Sequence, residues 1–276
     1  MVKKDPFLYR ASETFVLERL APRTFKSELA GRDVLLAIHG YNNSETEAVC
    51  ALSRLSLTLE LPPDALFVGV LWPGDSLIGF VSYPFEKPTA RYTGQCLGAF
   101  CNLELQDAAS ISFVSHSLGA RVALEAIRHL DRDTRSACLM AAAIERDCLE
   151  KEYADAFAKV GVTYVLASRK DWVLQRAFPL GNVIGHLLDP TSNPLSKALG
   201  FEGPSRAIGK TRTPWQIGDG HKYEHGNYLP STKRIDLFPP TKPDPINEQY
   251  RTATKYVEAV NFARRAFNLE RQTWPA

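Results

Sequence analysis

Apolar residues occur along this chain in short continuous runs that alternate with segments of helical spacing. The runs at 33–38, 65–71 and 162–167 are typical of strands buried on both faces of a sheet. Between the first two runs, apolar residues recur three and four positions apart, which predicts a helix, and Ser44 with Glu47 predicts a capping box at its start. Strands that alternate with helices favour a mainly parallel sheet with helices on both faces. We therefore expect a three-layer α/β/α sandwich.

Two segments interrupt this alternation. Residues 76–93 carry Pro84 and Pro88 and are predicted to be loop. Residues 172–212 are rich in Gly, Pro, Asn and Ser and have no clean periodicity. A length of 276 residues suits one large domain rather than two, so we expect a single α/β domain over 1–276 that contains 172–212 as an insertion.

Composition excludes several classes of protein. Hydrophobic residues make up 45% and charged residues 23%, as in ordinary soluble globular proteins. A net charge of only +2 gives no reason to expect a nucleic-acid partner. The chain begins without the apolar segment of a signal peptide, and no run is long enough to span a membrane. Its five cysteines are odd in number and lack CxxC spacing, so we expect reduced thiols and a cytoplasmic location.

The segment 111–120, Ile-Ser-Phe-Val-Ser-His-Ser-Leu-Gly-Ala, carries the most specific chemical motif. It begins as an apolar strand, turns sharply at Ser117 and continues as an apolar helix. A serine at such a turn, with small residues two positions to each side, is typical of a nucleophile elbow. Ser115 stands where the usual pattern has glycine, and Gly119 keeps the second glycine. The alternative is a serine that only caps the helix.

Two further polar residues complete a candidate catalytic set. Ser117, Asp171 and His225 occur in the order nucleophile, acid, base, which is the order of α/β-hydrolases. A serine hydroxyl needs a base within hydrogen-bond reach, histidine has a suitable pKa, and an aspartate fixes the histidine tautomer. Asp147, after the preceding strand, is an alternative acid, and His221, after a glycine-rich turn, is an alternative base.

Five motifs carry a resemblance to a known family: His-Gly-Tyr-Asn-Asn at 39–43, Trp-Pro at 72–73, Ser-His-Ser-Leu-Gly at 115–119, Ser-Arg-Lys-Asp at 168–171 and His-Gly-Asn-Tyr at 225–228. With them the chain resembles the α/β-hydrolase superfamily over most of its length, and more narrowly its little-characterised bacterial branch of DUF900-like serine hydrolases. The resemblance implies an esterase-like or lipase-like enzyme without implying a substrate. It also implies an oxyanion hole formed by the backbone N–H groups of Leu118 and Tyr41.

Four side chains are further candidates for the walls of a pocket: His39, Trp72, His116 and Phe178. We expect the side chain of His39 to order its own loop, whose backbone carries the function. Trp72 is equally consistent with a core aromatic at a strand end. Because 172–212 lies between the predicted acid and base, we expect it to be a lid or a pocket wall.

These observations together favour a serine hydrolase that cleaves a carboxylic ester or thioester through an acyl-enzyme. Its partner would be a small-molecule ester substrate, and we expect no cofactor and no metal site, since no histidine spacing resembles a zinc motif. The same three residues also suit amide, C–C or peroxide chemistry. A non-catalytic binding scaffold is the other alternative, but it has no physical need for all three. The sequence leaves the acyl-chain preference and the oligomeric state open.

Overall fold

The computed structural model describes residues 7–11, 17–19, 25–74, 83–179, 196–206, 209–229 and 254–271. Within these ranges the strands are β1 (Phe7–Ala11), β2 (Leu17–Arg19), β3 (Asp33–Ile38), β4 (Ala65–Leu71), β5 (Ser110–His116), β6 (Thr134–Met140) and β7 (Val160–Leu166). They form one sheet in the order β2-β1-β4-β3-β5-β6-β7. The strands from β4 to β7 in that order are parallel, and β1 pairs antiparallel with β2 and β4. The prediction of a mainly parallel sheet is confirmed.

Helices cover both faces of this sheet. The α-helices of the described residues are α1 (Phe25–Leu29), α2 (Glu45–Leu59), α3 (Tyr83–Glu104), α4 (Gly119–Arg128), α5 (Ala154–Ala158), α6 (Leu199–Glu202) and α7 (Thr254–Asn268). Helix α2 packs against α7, whereas α4 packs against α3 and α5. The crossover through α2 runs along the sheet in the direction opposite to the crossovers through α3 and α4, so right-handed connections place them on opposite faces. The predicted three-layer sandwich is therefore confirmed.

The central strands have the boundaries that their apolar runs predict. Strands β3 and β4 coincide with those runs, and every residue of β4 is buried. Both faces of these strands are covered, so side chains on both faces are apolar. Helix α2 begins with the predicted capping box, in which Ser44 Oγ accepts the Glu47 N–H at 3.3 Å and Glu47 Oε2 accepts the Ser44 N–H at 2.8 Å.

The prediction of a loop over 76–93 is wrong from Tyr83 onward. Helix α3 begins there and continues through Pro88. Pro84 lies in the first turn, where the N–H that a proline lacks has no partner within the helix in any case. Pro88 removes one hydrogen bond, and the packing of α3 against α4 compensates for this loss.

The structure describes only part of the candidate lid 172–212. Residues 180–195 and 207–208 lie outside the described ranges. All five cysteines lie within the described ranges, and no disulfide joins them. None of the helices in those ranges combines the length and the apolar character that a membrane-spanning segment requires.

The carboxyl ends of the parallel strands meet at one edge of the sheet. Ile38 pairs with Ser115, His116 pairs with Met140, and Met140 pairs with Leu166. The segments that leave β3, β5 and β7 therefore start at the same level. Ligands of open parallel sheets bind beside this edge, and the polar residues predicted from the sequence follow these strands.

Candidate active site

The backbone of Ser117 has a left-handed conformation, with φ of 56°, between β5 and α4. This conformation costs a non-glycine residue roughly 1–2 kcal/mol, so neighbouring groups have to hold it. The N–H of Ser117 donates to the Met140 carbonyl at 3.0 Å, and its own carbonyl accepts the N–H groups of Ala120 and Ala143 at 3.1 Å each. Strand β6 and the first turn of α4 thus fix the sharp turn that the sequence predicts.

The two small residues that flank Ser117 have different surroundings. A Cβ atom on Gly119 would lie 2.4 Å from the His39 carbonyl oxygen, so only glycine fits where α4 begins against the end of β3. Ser115, which replaces the usual glycine, is buried, and its Oγ donates to the Cys138 carbonyl at 3.4 Å. The extra hydroxyl is therefore satisfied across to β6, which explains why serine is accommodated here.

The side chains of Ser117, His225 and Asp171 form a continuous hydrogen-bonded chain. Nε2 of His225 lies 2.9 Å from Ser117 Oγ, and Nδ1 of His225 lies 2.7 Å from Asp171 Oδ2. Asp171 is completely buried and His225 is partly exposed. A carboxylate can only accept, so the ring carries its proton on Nδ1 and leaves Nε2 to accept from the serine hydroxyl.

Asp171 also anchors the segment that follows it. Its second oxygen, Oδ1, accepts the Leu174 N–H at 3.0 Å and so holds the start of a π-helical turn, Val173–Ala177. Ser168 Oγ donates to the Tyr223 carbonyl at 2.8 Å and ties the acid loop to the segment that precedes His225. These contacts give a physical role to the Ser-x-x-Asp spacing seen in the sequence.

The two alternative residues lie elsewhere. Asp147 pairs with Lys151 at 2.7 Å on a partly exposed surface. His221 ends a separate 3₁₀ turn, Asp219–His221, and does not line the cavity beside Ser117. The structure therefore brings Asp171 and His225, rather than Asp147 or His221, to the serine.

His116 is buried directly before the elbow serine and contacts the loop that carries His225. Its Nε2–H donates to the backbone carbonyl of His225 at 2.9 Å. The two imidazole rings lie 4.8 Å apart between centroids, and the centroid of the Tyr228 ring lies 6.1 Å from that of His116. Burial, together with the nearby His225, lowers the pKa of His116 to about 3. The ring is therefore neutral near neutral pH.

His39 and Trp72 fix the loop that leaves β3. The Trp72 N–H donates to His39 Nε2 at 3.2 Å, so His39 carries its proton on Nδ1 and donates it to the Gly40 carbonyl at 2.7 Å. The Trp72 indole N–H donates to the His39 carbonyl at 3.0 Å, and the two rings stack with centroids 5.8 Å apart. Neither residue lines the cavity beside Ser117, so both act on the loop from behind it.

Gly40 brings this loop against the elbow. A Cβ atom at Gly40 would lie 3.0 Å from the Cβ of Ser117 and 2.9 Å from Nδ1 of His116. Any larger residue would push the loop away from the serine. The next residue, Tyr41, lines the same cavity as Ser117, and Leu118 is buried immediately behind the serine.

A cavity of about 170 Å³ opens beside Ser117 and His225. The polar residues that line it are Tyr41, Asn42, Asn43, His116, Ser117 and His225. The other lining residues are Ala143, Val173, Leu174, Ala177, Phe178, Gly226 and Leu229. Of these lining residues, the sequence indicated His116 and Phe178 as pocket candidates but missed Asn42, Asn43, Ala143 and Leu229. Asn42 and Asn43 could have been found, because they directly follow the His-Gly-Tyr motif.

The model of the family described as α/β-hydrolase of unknown function, DUF900, matches residues 18–204. The chain belongs to this family. No curated protein matches the sequence of this DUF900 chain.

Solved structures with a similar arrangement are distant in sequence. The hyperthermophilic esterase from the archaeon Pyrobaculum calidifontis has a TM-score of 0.45 at 14% identity, over 87% of this chain and 78% of that chain. A thermophilic carboxylesterase cloned from a metagenomic library has a TM-score of 0.43 at 13% identity, over 90% and 83%. A dienelactone hydrolase-like phosphotriesterase from metagenomic libraries has 0.44 at 11%, over 94% and 98%. Likenesses this distant do not bear on the activity of this DUF900 chain.

Proposed function

We propose that this protein is a serine hydrolase that cleaves a carboxylic ester or thioester through an acyl-enzyme intermediate. The observation that carries the proposal is the hydrogen-bonded chain from Ser117 through His225 to the buried Asp171, with contacts of 2.9 and 2.7 Å. The left-handed conformation of Ser117 supports it independently. Strain of this kind persists where the surroundings enforce it, and it concentrates at functional sites.

Each member of the triad has one task in this mechanism. Ser117 Oγ attacks the carbonyl carbon of the substrate while its proton moves to Nε2 of His225. Asp171 holds the ring and stabilises the imidazolium that forms. His225 then gives the proton to the departing alcohol or thiol. In the second half, His225 takes a proton from the water that attacks the acyl carbon. The bond to Ser117 Oγ then breaks, His225 returns the proton to Oγ, and the acid is released.

The oxyanion that develops during both attacks needs two donors. We assign these to the backbone N–H groups of Leu118 and Tyr41, since Leu118 follows the nucleophile and Tyr41 lines the cavity. The close approach of Gly40 to Ser117 supports this assignment. Loss of one such donor costs about 2.7–4 kcal/mol of transition-state stabilisation.

The chain is also proposed to be one domain over 1–276, in which 172–212 supplies a pocket wall. Support comes from the described part of this segment, because Val173, Leu174 and Phe178 all line the cavity. The Asp171 contact to the Leu174 N–H links this wall to the acid. The segment is therefore expected to act on substrate size rather than on the chemistry.

The proposal is tested by covalent labelling with a fluorophosphonate probe. We expect mass spectrometry of the labelled wild type to find the adduct on Ser117, and we expect the wild type to hydrolyse p-nitrophenyl esters. The Ser117→Ala variant should lose both. Ser112, a buried serine within β5, provides the matched control, because Ser112→Ala removes a hydroxyl from the strand that leads to Ser117 and Ser112 does not line the cavity. An adduct elsewhere, or no adduct on folded wild type, contradicts the proposal.

A further inference from the structure

The size of the cavity beside Ser117 restricts the substrate. Its volume is about 170 Å³, and it borders both Ser117 and His225. An apolar protein cavity of about 150 Å³ is large enough to bind a benzene molecule. The space next to the serine therefore suits a group of about six carbon atoms.

Apolar side chains form a large part of the cavity lining. The π-helical turn supplies Val173, Leu174 and Ala177, Phe178 follows the turn directly, and Leu229 also lines the cavity. All five side chains are apolar. Burying a methylene group against such a surface contributes about 0.8 kcal/mol, which corresponds to a three- to fourfold gain in affinity.

We infer that the acyl group of the substrate is short, with about four to six carbons, and that it lies against the turn formed by residues 173–178. This inference rests on the proposed ester hydrolysis. It names the substrates as esters or thioesters of short linear, branched or aromatic acids rather than of long-chain fatty acids. Because Asp171 accepts the Leu174 N–H, the acyl group would lie against a turn that the proposed catalytic acid holds in place.

The first experiment measures kcat/KM for p-nitrophenyl acetate, butyrate, hexanoate, octanoate and dodecanoate. We expect about a three- to fourfold rise per methylene up to butyrate or hexanoate, followed by a fall for the longer chains. A continuous rise to dodecanoate overturns the inference while leaving the hydrolase intact. If Ser117 is not labelled and the enzyme hydrolyses none of these esters, the proposed function fails, and this inference fails with it. Failure of the inference alone is therefore distinguishable from failure of the proposed function.

The second experiment enlarges the cavity. Phe178→Ala should move the optimum to octanoate or longer, because it removes a ring about as large as the group the cavity accepts. Phe157→Ala is the matched control, since Phe157 on α5 is a partly buried phenylalanine that does not line the cavity. If Phe178→Ala lowers acetate and long-chain turnover equally, Phe178 does not set acyl length. Leu229→Ala removes another apolar side chain that lines the cavity, and it decides the matter if Phe178→Ala does not fold.

A different observation concerns His116. The geometry points to His116 as a positioning residue that holds the backbone of His225 at the correct height above Ser117. His116 contacts three parts of the site. It directly precedes Ser117, and its Nε2–H donates to the His225 carbonyl at 2.9 Å. Its Nδ1 lies close to Gly40, where an added Cβ would be 2.9 Å away. Because the ring is buried and neutral, it adds no positive charge beside the imidazolium that forms on His225 during turnover.

The test removes the donor and then restores it. His116→Leu should lower kcat by about 10- to 100-fold with little change in KM, because a small displacement of the base affects the reaction more than binding. His116→Gln, which restores an N–H donor, should recover most of this loss. If both variants lose the same amount of kcat, in parallel with their loss of thermal stability, the ring only fills space. That result would overturn the inference. His116→Ala replaces the leucine variant if that variant does not fold.

Discussion

Asp171 uses both carboxylate oxygens, and each one serves a different part of the site. Oδ2 accepts from His225 at 2.7 Å, and Oδ1 accepts the Leu174 N–H at 3.0 Å. The same side chain therefore fixes the tautomer of His225 and the position of the turn that lines the cavity. An asparagine can keep the second contact but not the first, which separates the two roles.

We expect Asp171→Asn to lower kcat by up to ~10⁴ while the fold persists. The amide nitrogen donates where Oδ2 accepted, so the His225 ring adopts the tautomer that cannot take a proton from Ser117. Steady-state kinetics with a short-chain p-nitrophenyl ester measures the effect, and Asp147→Asn is the control. Full activity in Asp171→Asn with an inactive Asp147→Asn would transfer the acid to the loop after β6.

Alanine substitutions of the two histidines near residue 220 should have opposite effects on turnover. His225→Ala should lose nearly all turnover, because Ser117 then has no base within hydrogen-bond reach. His221→Ala should keep most of it, since His221 does not line the cavity. Turnover and the rate of fluorophosphonate labelling are measured for both variants. The reverse pattern would assign the base to His221.

At the scale of single elements, the start of α4 is the least tolerant position. A Cβ on Gly119 would lie 2.4 Å from the His39 carbonyl and 2.9 Å from the Ile38 carbonyl, both of which are backbone atoms that cannot move aside alone. Helix α4, the end of β3 and the His39–Gly40 loop must shift together if this residue grows.

Gly119→Ala should therefore reduce stability by about 1–3 kcal/mol, as overpacked core sites do, and lower turnover more than the stability loss explains. The reason is that the displaced loop carries the proposed oxyanion donor. Urea denaturation and kcat on a short-chain ester provide the two measurements. Gly220→Ala is the control, because nothing lies within 4 Å of its added Cβ. Unchanged activity in Gly119→Ala would show that α4 and the loop are not rigidly coupled.

Elements whose pattern is local could be predicted, and those that depend on distant partners could not. The continuous apolar runs of β3 and β4 gave their limits, and the spacing of Ser44 and Glu47 gave the start of α2. The start of α3 was missed because Pro84 and Pro88 indicate a break unless packing is known. The π-helical turn has no periodic signal, because it is fixed by a hydrogen bond to Asp171. The order of Ser117, Asp171 and His225 indicated the candidate triad, but only the fold brings these residues together.

At the scale of the whole molecule, a buried charge cluster joins α3, α4 and the segment after β6. Arg121 is almost completely buried and pairs with Glu145 at 2.6 Å and Glu152 at 2.5 Å. Lys87 of α3 pairs with Glu145 at 2.8 Å. Burial alone would raise the pKa of Glu145, but Arg121 and Lys87 together lower it to about 2. The cluster therefore stabilises the packing of the helices that cover one face of the sheet. It does so only while Glu145 is charged.

Acid should weaken the fold through this cluster. The folded-state pKa of Glu145, about 2, lies below its ordinary value of 4.5, so its contribution is present above pH 4.5 and lost as pH falls toward 2. The contribution at neutral pH is about 3 kcal/mol. The free energy of unfolding, measured by urea denaturation between about pH 6 and pH 3, should fall more steeply for the wild type than for Glu145→Gln. Parallel slopes would exclude Glu145 as the titrating group.

The left-handed turn at Ser117 places opposite demands on one residue. Thermal stability favours glycine there, whereas the proposed turnover needs a serine hydroxyl. Glycine adopts this conformation without strain, whereas alanine and serine do not. Ser117→Gly and Ser117→Ala both lack the hydroxyl, yet the glycine variant should unfold about 2 °C higher than the alanine variant, since it gains up to about 1 kcal/mol after its greater chain entropy is subtracted. Thermal unfolding of the two variants measures the difference, and equal midpoints would show that β6 and α4 leave no strain in the turn. Heat resistance alone would thus favour glycine at this position, whereas the proposed reaction requires serine.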